Sequence, residues 1–429
     1  MDDATKNPPI TCVRSKLSIA ETMKPIRLAV IFDQQIHAGG GYQQALNAAL
    51  NAKSITTGIA EPIFFTTVKH NVPILASYGI EAQYLSVSLV DKFVMFFRRE
   101  IWNSYALGWI TKISPLNAFE AALFRKSIDL VYFLSPDGRY KDLERINYIA
   151  TVWDLCHRDD LEFPEVRWNR QAEIRDGNYS QFLPKATAIF VDSDFSRRNI
   201  VHRYGLDIDR VHVMAFEASV ATQSSATATS KENEFDVKKK YGLKVPYVFY
   251  PAQFWAHKNH IYLLQGLADL RSRYGLEVGA IFVGSDKGNL QYIKKSARSM
   301  GVIDLIRFGG FVSNEEITVL YKQSVALVMP TYFGPTNLPP LEAFELRVPV
   351  LYPDKPGLRE QVGDAALLMD LKNPASLANH LYSLLTNDSL RSQLVAKGQD
   401  ILSFYDKRKR VALLESVISD FRCRRICWE

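Results

Sequence analysis

Short runs of apolar, β-branched and aromatic residues alternate along the first half of the chain with segments of helix length. The candidate strands lie at residues 26–32, 62–67, 129–134, 148–153 and 188–191. The stretch 42–52, rich in Ala, Leu and Gln, is predicted to form the first helix. Nearly continuous apolar strands separated by helices are typical of parallel sheets that are covered on both faces. The pattern therefore predicts a doubly wound α/β domain.

The same alternation returns in the second half of the chain. Its candidate strands lie at residues 247–250, 279–283, 306–308, 326–329 and 348–351. Between the two series, residues 221–234 are dominated by Ser, Thr and Ala, which bury too little apolar surface to offset the entropy of ordering them. We therefore expect a second α/β domain, joined to the first through a mobile loop.

A helical period marks the end of the chain. Leu414, Val417, Ile418 and Phe421 would share one face of a helix, so a long terminal helix is predicted over 400–421, with a basic tail behind it. The predicted organisation is an N-terminal tail (1–25), a first domain (26–216), a linker containing the mobile loop (217–244), a second domain (245–400), and a C-terminal helix with its basic tail (401–429).

Composition and charge exclude several classes of protein. The 429 residues are 47% hydrophobic and 23% charged, which is typical of a globular protein of enzyme size and excludes a wholly disordered chain. The net charge of +6 is mild for this length. It favours anionic partners but does not indicate a nucleic-acid partner.

Cysteine usage and hydropathy bear on the cellular compartment. The four cysteines are too few for a disulfide framework, and Cys423 and Cys427 lack the two further ligands that a zinc site needs. We therefore expect a reducing, cytoplasmic compartment. Residues 1–24 show no apolar run of signal-peptide length, and nowhere do about 18 uncharged apolar residues follow one another. The chain is predicted to be soluble or peripheral to a membrane.

Glycines and a lysine follow two of the predicted strands. Gly39, Gly40 and Gly41 stand between a strand and a helix, where backbone N–H groups can approach a phosphate without interference from a Cβ, although a plain turn fits equally well. Residues 250–260 follow a central strand and contain a single lysine, Lys258. Ligands of open α/β sheets bind beyond the carboxyl ends of the strands, so this segment is a candidate site, with a solvated loop as the alternative.

A third candidate segment, residues 331–343, follows the strand predicted at 326–329. A Gly-Pro-Thr-Asn turn leads there to a helix with Glu342 in its first turn. Free backbone amides at the helix N-terminus could hold a diphosphate, and the carboxylate could accept hydrogen bonds from two ribose hydroxyls. A glutamate that merely complements the helix dipole explains the residue equally well.

The order of these segments resembles that of a known family. The motifs are His257-Lys258-Asn259, Phe282-Val283-Gly284, Phe308-Gly309-Gly310-Phe311-Val312, Leu338-Pro339-Pro340-Leu341-Glu342-Ala343 and Gly363-Asp364-Ala365-Ala366. Over residues 245–400 they resemble the retaining GT-B glycosyltransferases of the group 1, or family 4, type. The first half agrees more loosely, through the glycine-rich loop, Thr151-Val152-Trp153-Asp154-Leu155 and Val191-Asp192-Ser193-Asp194-Phe195-Ser196.

The resemblance implies both a fold and a donor site. The fold would be two Rossmann-like domains with a cleft between them and a C-terminal helix that crosses back. Lys258 would neutralise the diphosphate of a nucleotide sugar, and Glu342 would hold its ribose. The other residues implied at the donor are Gly40 and Gly41 over the diphosphate, Phe311 and Val312 at the base, Thr336, Asn337 and Leu338 at the phosphates and donor sugar, and Gln253 and Gly284 nearby.

Three positions depart from the family pattern. Gly334 replaces the first glutamate of the family's Glu-x7-Glu signature, so a carboxylate near the donor sugar is missing. Gln253 replaces a basic residue upstream of Lys258, and Trp153 stands where many relatives carry a histidine, with His157 close behind it. We interpret these changes as altered sugar recognition. A catalytically silent binder and a nucleotide-sugar epimerase are the alternatives.

The resemblance also implies a mechanism. Fixed N–H groups and Lys258 would stabilise the leaving diphosphate, which would take the proton of the acceptor hydroxyl. Asp154 and His157 are the candidates on the acceptor side, although a structural role suits His157 equally well. No metal site is predicted, because Asp192-Ser193-Asp194 lies in the wrong half of the chain for a donor-site metal motif. Activity without a divalent metal is therefore expected.

The predicted reaction is transfer of a hexose, with mannose as the candidate, from a nucleotide diphosphate sugar to a glycan or lipid-linked oligosaccharide in surface polysaccharide synthesis. Residues 93–110 form a basic and aromatic stretch. This stretch could bring the protein to the inner face of a membrane, near a lipid-linked acceptor. An amphipathic helix packed on its own domain is the commoner outcome for such a sequence.

Overall fold

The computed structural model of the protein describes residues 24–34, 40–86, 118–219, 222, 235–334, 336–404 and 406–428. Several features of the sequence therefore lie outside the described residues. They are residues 1–23 of the predicted N-terminal tail, Gly39, the basic and aromatic stretch 93–110, the predicted mobile loop apart from Thr222, and Pro335 of the Gly-Pro-Thr-Asn turn.

The first half of the chain forms a seven-stranded parallel sheet in the order β3-β2-β1-β4-β5-β6-β7. The strands are β1 (Ile26–Ile31), β2 (Ala60–Thr66), β3 (Ala82–Tyr84), β4 (Leu130–Phe133), β5 (Asn147–Thr151), β6 (Ala188–Val191) and β7 (Val211–Val213). All five predicted strands are present, with ends displaced by at most two residues. The sequence analysis missed β3 and β7, which close the two edges of the sheet.

The second half forms a six-stranded parallel sheet in the order β10-β9-β8-β11-β12-β13. The strands are β8 (Tyr247–Pro251), β9 (Gly279–Val283), β10 (Ile306–Gly310), β11 (Leu327–Val328), β12 (Val350–Pro353) and β13 (Ala366–Met369). Here β13 was missed, and β12 begins two residues later than predicted. The strand order reverses between β8 and β11, where open α/β sheets form a crevice for ligands.

Helices cover the faces of both sheets. In the first half they are α1 (Gly40–Lys53), α2 (Asn71–Ser77), α3 (Ala118–Phe124), α4 (Cys156–Asp159), α5 (Pro164–Arg167), α6 (Gln171–Phe182) and α7 (Asp194–Tyr204). The remaining ones are α8 (Val237–Tyr241), α9 (His260–Tyr274), α10 (Leu290–Ser299), α11 (Asn314–Lys322), α12 (Leu338–Glu345), α13 (Pro356–Val362), α14 (Ala375–Thr386), α15 (Asp388–Phe404) and α16 (Lys407–Arg425). Short 3₁₀ helices lie at Gly138–Asp142, Trp168–Arg170, Leu183–Lys185, Ile208–Arg210, Ala256–Lys258 and Ile303–Leu305.

The end of the chain crosses back to the first domain. Leu414, Val417, Ile418 and Phe421 of α16 lie in the same buried cluster as the apolar residues of β1. The single helix predicted over 400–421 is wrong, because α15 ends at Phe404 and α16 begins at Lys407. Asp406 caps α16 by accepting a hydrogen bond from the Arg408 N–H at 2.8 Å, and this cap starts a new helix in a new direction.

Two Rossmann-like sheets with a returning C-terminal helix are the architecture that the resemblance implied, so the predicted fold class is confirmed. Each sheet has its own buried core: one cluster in the second domain and one on each face of the first sheet. Within the described residues, no helix combines the length and the apolar character needed to cross a membrane.

Candidate active site

Lys258 lies at the carboxyl end of the central strand of the second sheet. It ends the 3₁₀ helix Ala256–Lys258, which follows β8, and Asn259 then adopts a left-handed conformation (φ 53°) and caps α9. Burial lowers the pKa of Lys258 to about 8, although the carboxylates of Asp154 and Glu165 favour its charged form. Both carboxylates belong to the first domain, so the ammonium group faces the cleft.

Asn337 connects Lys258 to the start of α12. Its Oδ1 accepts a hydrogen bond from Lys258 Nζ at 3.4 Å, and its Nδ2 donates to the Tyr352 hydroxyl at 2.6 Å. Gln361 fixes its backbone from the other side, since the Asn337 N–H donates to Gln361 Oε1 at 3.0 Å. The segments after β8 and β11 thus meet at the point where the strand order reverses.

The N-terminus of α12 offers fewer donors than the sequence analysis expected. Pro339 and Pro340 occupy its first turn and have no N–H group, and the Asn337 N–H is already bound to Gln361. Of the four N–H positions that a helix leaves free at its start, only that of Leu338 remains. A diphosphate here would depend more on Lys258 and on the first domain than on the backbone of this helix.

Glu342 lies one turn into α12. The Tyr321 hydroxyl donates a hydrogen bond to Glu342 Oε2 at 3.0 Å. Burial raises the pKa of the Glu342 carboxyl, whereas hydrogen bonds from Ser219 and Tyr321 act in the opposite direction. Ser219 belongs to the segment that leaves the first domain, so Glu342 contacts the link between the domains as well as its own helix.

The backbone at Gly334 accounts for the missing glutamate of the signature. Gly334 has a φ of 93°, a conformation that strains residues with a side chain. Its carbonyl accepts a hydrogen bond from Asn337 Nδ2 at 3.0 Å, and an added Cβ would lie 3.2 Å from Asn337 Oδ1. This turn therefore selects glycine.

The two glycines of the first domain lie at the start of α1, opposite α12. A Cβ on Gly40 would lie 3.3 Å from Cδ1 of Leu338, and one on Gly41 would lie 2.7 Å from the ring of Trp153. The absence of side chains thus lets the N-terminus of α1 approach both β5 and the second domain. This N-terminus adds backbone N–H groups and a helix dipole on the side of the cleft opposite Leu338.

The remaining donor-site candidates surround the ends of β8, β9 and β10. A Cβ on Gly284 would lie 2.4 Å from the Ala252 carbonyl oxygen, so only glycine fits there. Gln253 Oε1 accepts a hydrogen bond from Trp255 Nε1 at 2.9 Å. Phe311 is 82% exposed just beyond β10, whereas Val312 packs on the domain core. An aromatic ring this exposed is available to stack on a planar ligand.

The two acceptor-side candidates have different surroundings. Asp154 lines the cleft, and Arg175 lies 2.9 Å from its Oδ1. Burial acts to raise the pKa of Asp154, but Arg175 and the hydrogen bonds of Cys156 hold it below its usual value. His157 is 3% exposed and its Nε2 lies 2.7 Å from the Tyr204 hydroxyl. Burial lowers its pKa to about 4, so the structure favours the structural role for His157.

Several contacts between the domains escaped the sequence analysis. Glu165 of α5 accepts hydrogen bonds from His257, and the Thr336 hydroxyl donates to Asp192 at 2.5 Å. The expectation that Asp192 is remote from the donor site is therefore wrong, because the fold brings the end of β6 to the segment before α12. No local motif marks Glu165. The acidic motif at Asp192 was recognised, but its position in the first half of the chain gave no indication of a contact with Thr336.

A cavity of about 310 Å³ opens between the domains beside this cluster. Its first-domain wall comes from residues 154–156, 159 and 160 and from α7, and its second-domain wall from residues 332–334 and 355–358. Gly334 links the cavity to Asn337, and Asp154 links it to Lys258. Across the described ranges, no three His, Cys, Asp or Glu side chains group closely enough to hold a metal ion. Activity without a divalent metal stays a prediction.

Residues 231–400 match the family model of the glycosyl transferases group 1. The chain is 28% identical over 240 residues to O-antigen chain mannosyltransferase B of Escherichia coli, a match that covers 55% of this chain and 61% of that protein. It is 25% identical over 273 residues to D-inositol 3-phosphate glycosyltransferase of Corynebacterium efficiens, covering 61% of this chain and 62% of the relative. The matches thus span about three-fifths of these relatives.

Solved structures extend the likeness in fold to nearly the whole chain. The crystal structure of Anabaena Alr3699/HepE in complex with UDP-glucose superposes with a TM-score of 0.67 at 13% identity, covering 92% of this chain and 100% of that one. At this level of identity the likeness establishes the fold.

Proposed function

Because residues 231–400 match the family model of the group 1 glycosyltransferases and the described chain has the GT-B fold, we propose that the protein is a retaining glycosyltransferase. It transfers a hexose, with mannose as the candidate, from a nucleotide diphosphate sugar to a glycan or lipid-linked oligosaccharide in surface polysaccharide synthesis. The O-antigen mannosyltransferase among its relatives supports both the sugar and the acceptor class.

The observation that carries this proposal is that Lys258 donates a hydrogen bond to Asn337 while the start of α1 approaches the next residue, Leu338, from the first domain. When the anomeric carbon loses its nucleotide diphosphate, negative charge develops on the leaving oxygen. A fixed ammonium group and oriented N–H groups stabilise that charge more than they stabilise the ground state. Glu342 holds the ribose, and Phe311 stacks beside the base.

The leaving phosphate supplies the base for the acceptor hydroxyl. In a retaining reaction of this type, the hydroxyl attacks on the side from which the diphosphate departs, and the phosphate oxygen takes its proton. Asp154 orients the acceptor, because its carboxylate stays ionised beside Arg175 and lines the cleft. The reaction requires no divalent metal, and the enzyme works in the cytoplasm, in peripheral contact with the inner face of the membrane.

Two measurements test this function. Calorimetry with UDP, GDP and ADP identifies the nucleotide, and a panel of labelled nucleotide sugars then identifies the donor in the presence of lipid-linked glycan. We expect transfer with retention of the anomeric configuration, unchanged by a chelator. Conversion of the sugar without an acceptor would indicate an epimerase, and nucleotide binding without any turnover would indicate a silent binder.

A further inference from the structure

The carboxylates that line the cavity between the domains are paired with cationic side chains. Asp159 Oδ1 lies 2.6 Å from Arg203 Nη2, and Asp159 Oδ2 accepts a hydrogen bond from Asn199 Nδ2 at 2.6 Å. Asp160 Oδ1 lies 3.2 Å from Lys355 Nζ. Both cations among the described lining residues are thus already paired with carboxylates of the cavity, Arg203 within the first-domain wall and Lys355 across the two domains.

The third carboxylate of the cavity is also neutralised. Arg175, just outside the lining, lies 2.9 Å from Asp154 Oδ1 and also donates to the Asp154 carbonyl oxygen at 2.8 Å. A phosphate or carboxylate that entered this space would meet three acidic side chains and, among the described lining residues, no uncommitted cation, so its desolvation would go uncompensated. A neutral polyol would find acceptors in the carboxylates and donors in the amide and guanidinium groups.

Aromatic side chains contribute the rest of the lining. Phe195 lies on the first-domain wall, and Tyr332 and Phe333 lie on the second-domain wall, all three half-buried. Phe333 is held in place by the ring of His257, stacked at 3.7 Å, and by Phe163 at 5.6 Å. Aromatic faces pack against the C–H surface of a sugar ring, while the polar groups bind its hydroxyls.

We propose that this cavity binds an uncharged hexose unit at the growing end of the acceptor glycan. The proposal rests on the proposed function, since it concerns the acceptor of that reaction. Its volume of about 310 Å³ is at the small end of the range for ligand sites, which suits a single sugar unit. It predicts discrimination against an acceptor with phosphate at this position, such as the substrate named for the relative D-inositol 3-phosphate glycosyltransferase.

The test compares neutral and phosphorylated sugars on the full chain, saturated with whichever nucleoside diphosphate binds in calorimetry. Saturation-transfer-difference NMR measures binding of methyl α-mannoside and methyl α-glucoside against mannose 6-phosphate and glucose 6-phosphate. We expect the neutral glycosides to bind and the phosphates to bind at least about tenfold more weakly. If no nucleotide binds at all, the proposed function fails at the first step, before any sugar is tested.

Three variants connect this binding to the cavity. Asn199→Ala removes a hydrogen-bonding group and should weaken the binding of neutral glycosides about fivefold to tenfold. Asp160→Asn leaves Lys355 without its carboxylate partner and should shift the preference toward the sugar phosphates. Asp364→Asn is the matched control. Asp364 Oδ2 lies 2.6 Å from Lys397 Nζ on an exposed surface of the second domain, so this variant also leaves a lysine without its carboxylate partner. It should change the binding of neither the neutral glycosides nor the sugar phosphates.

Two results would overturn the proposal while leaving nucleotide binding intact. One is a wild-type protein that binds the sugar phosphates as tightly as the neutral glycosides. The other is an unchanged preference in both Asn199→Ala and Asp160→Asn, with circular dichroism showing that the two variants are folded. Either result would mean that the acceptor end is recognised elsewhere or by its charge.

Discussion

Glu165 of the first domain holds His257 of the second through two hydrogen bonds to one oxygen. The His257 N–H lies 2.9 Å and its Nδ1 lies 2.5 Å from Glu165 Oε1. Since His257 directly precedes Lys258, closing the cleft also fixes the backbone that positions the ammonium group. This pair therefore ties the first domain to the backbone that carries Lys258.

Removing the Glu165 carboxylate should impair turnover without touching the substrate. We expect Glu165→Ala to lower kcat/KM about tenfold or more, because a hydrogen bond to a charged group contributes about 1.5–3 kcal/mol. Glu165→Gln keeps an acceptor oxygen for the backbone N–H and should lose less. Steady-state kinetics check this, with Glu173→Ala on the exposed face of α6 as the control. Equal activity in Glu165→Ala, Glu165→Gln and Glu173→Ala would show that the Glu165–His257 contact does not affect turnover.

Lys258→Ala should lower kcat by about 100-fold or more, because the ammonium group stabilises charge that develops only as the diphosphate leaves. Nucleotide affinity should fall less than turnover. Single-turnover assays of sugar transfer, together with calorimetry, separate the two effects. Wild-type turnover in this variant would mean that the site is misplaced.

The lowered pKa of Lys258 predicts a pH dependence of nucleotide binding. With its pKa at about 8 in the free protein, the side chain is charged below that pH and becomes neutral above it. The affinity for a nucleoside diphosphate should therefore fall as pH rises, approaching about tenfold per pH unit beyond the pKa. Calorimetry between about pH 7 and pH 9.5 measures this. Lys258→Arg should flatten the curve, and a flat wild-type curve would contradict the assignment.

Glu342→Gln should mainly weaken donor binding. The amide keeps the volume of the carboxylate but is a poorer acceptor for two ribose hydroxyls, so we expect KM for the donor to rise about tenfold with a smaller change in kcat. A donor analogue built on a 2′,3′-dideoxynucleotide should bind wild type and variant alike. Tyr321→Phe serves as a control for the packing around Glu342, since it removes the hydrogen bond at 3.0 Å but keeps the carboxylate.

The glycine pair at the start of α1 offers a graded steric test. Gly41→Ala would press a methyl group into the ring of Trp153, 2.7 Å away, and should lower the free energy of unfolding by about 1–3 kcal/mol. The methyl group of Gly40→Ala would lie 3.3 Å from the flexible end of Leu338, so this variant should lower the free energy of unfolding much less. Denaturant unfolding compares the two. Trp153→His in the Gly41→Ala background should recover part of the loss by making room.

The raised pKa of Asp192 predicts that the stability difference between wild type and Asp192→Asn depends on pH. Burial raises its pKa from 3.8 to about 6, so the folded state favours the protonated form and loses stability as pH rises through that interval. Above about pH 6 the ionised carboxylate costs about 3 kcal/mol. Asp192→Asn should therefore be more stable than wild type at pH 7.5, with the difference shrinking toward pH 4. Thermal unfolding at several pH values measures it, and a constant difference would argue against the shift.

Local sequence patterns predicted the fold well where burial is uniform. Strands such as β6 and β9 are apolar throughout, so their period and length identify them. The three-residue edge strands β3 and β7 carry too few positions for any period to emerge, and the four residues of β13 place two half-buried positions between two buried ones, which is no strand period. The break before α16 depends on one capping aspartate within an otherwise helical composition.

In the candidate site, too, the sequence predicted some contacts and missed others. Lys258, Asn337 and Glu342 follow strands of one sheet, so topology alone brings them together. Glu165 and His257 are 92 positions apart, and a glutamate in a short polar helix carries no signal of such a contact. The same applies to the pairing of Asp160 with Lys355, which depends on how the two domains close.

The return of α16 to the first domain sets an order for folding during synthesis. One apolar face of β1 is completed by Leu414, Val417, Ile418 and Phe421, which leave the ribosome only after the whole second domain. The second domain can bury its own core while the first still exposes part of its interior to chaperones and to neighbouring nascent chains. A premature stop anywhere before Leu414 would thus damage the domain that was translated first.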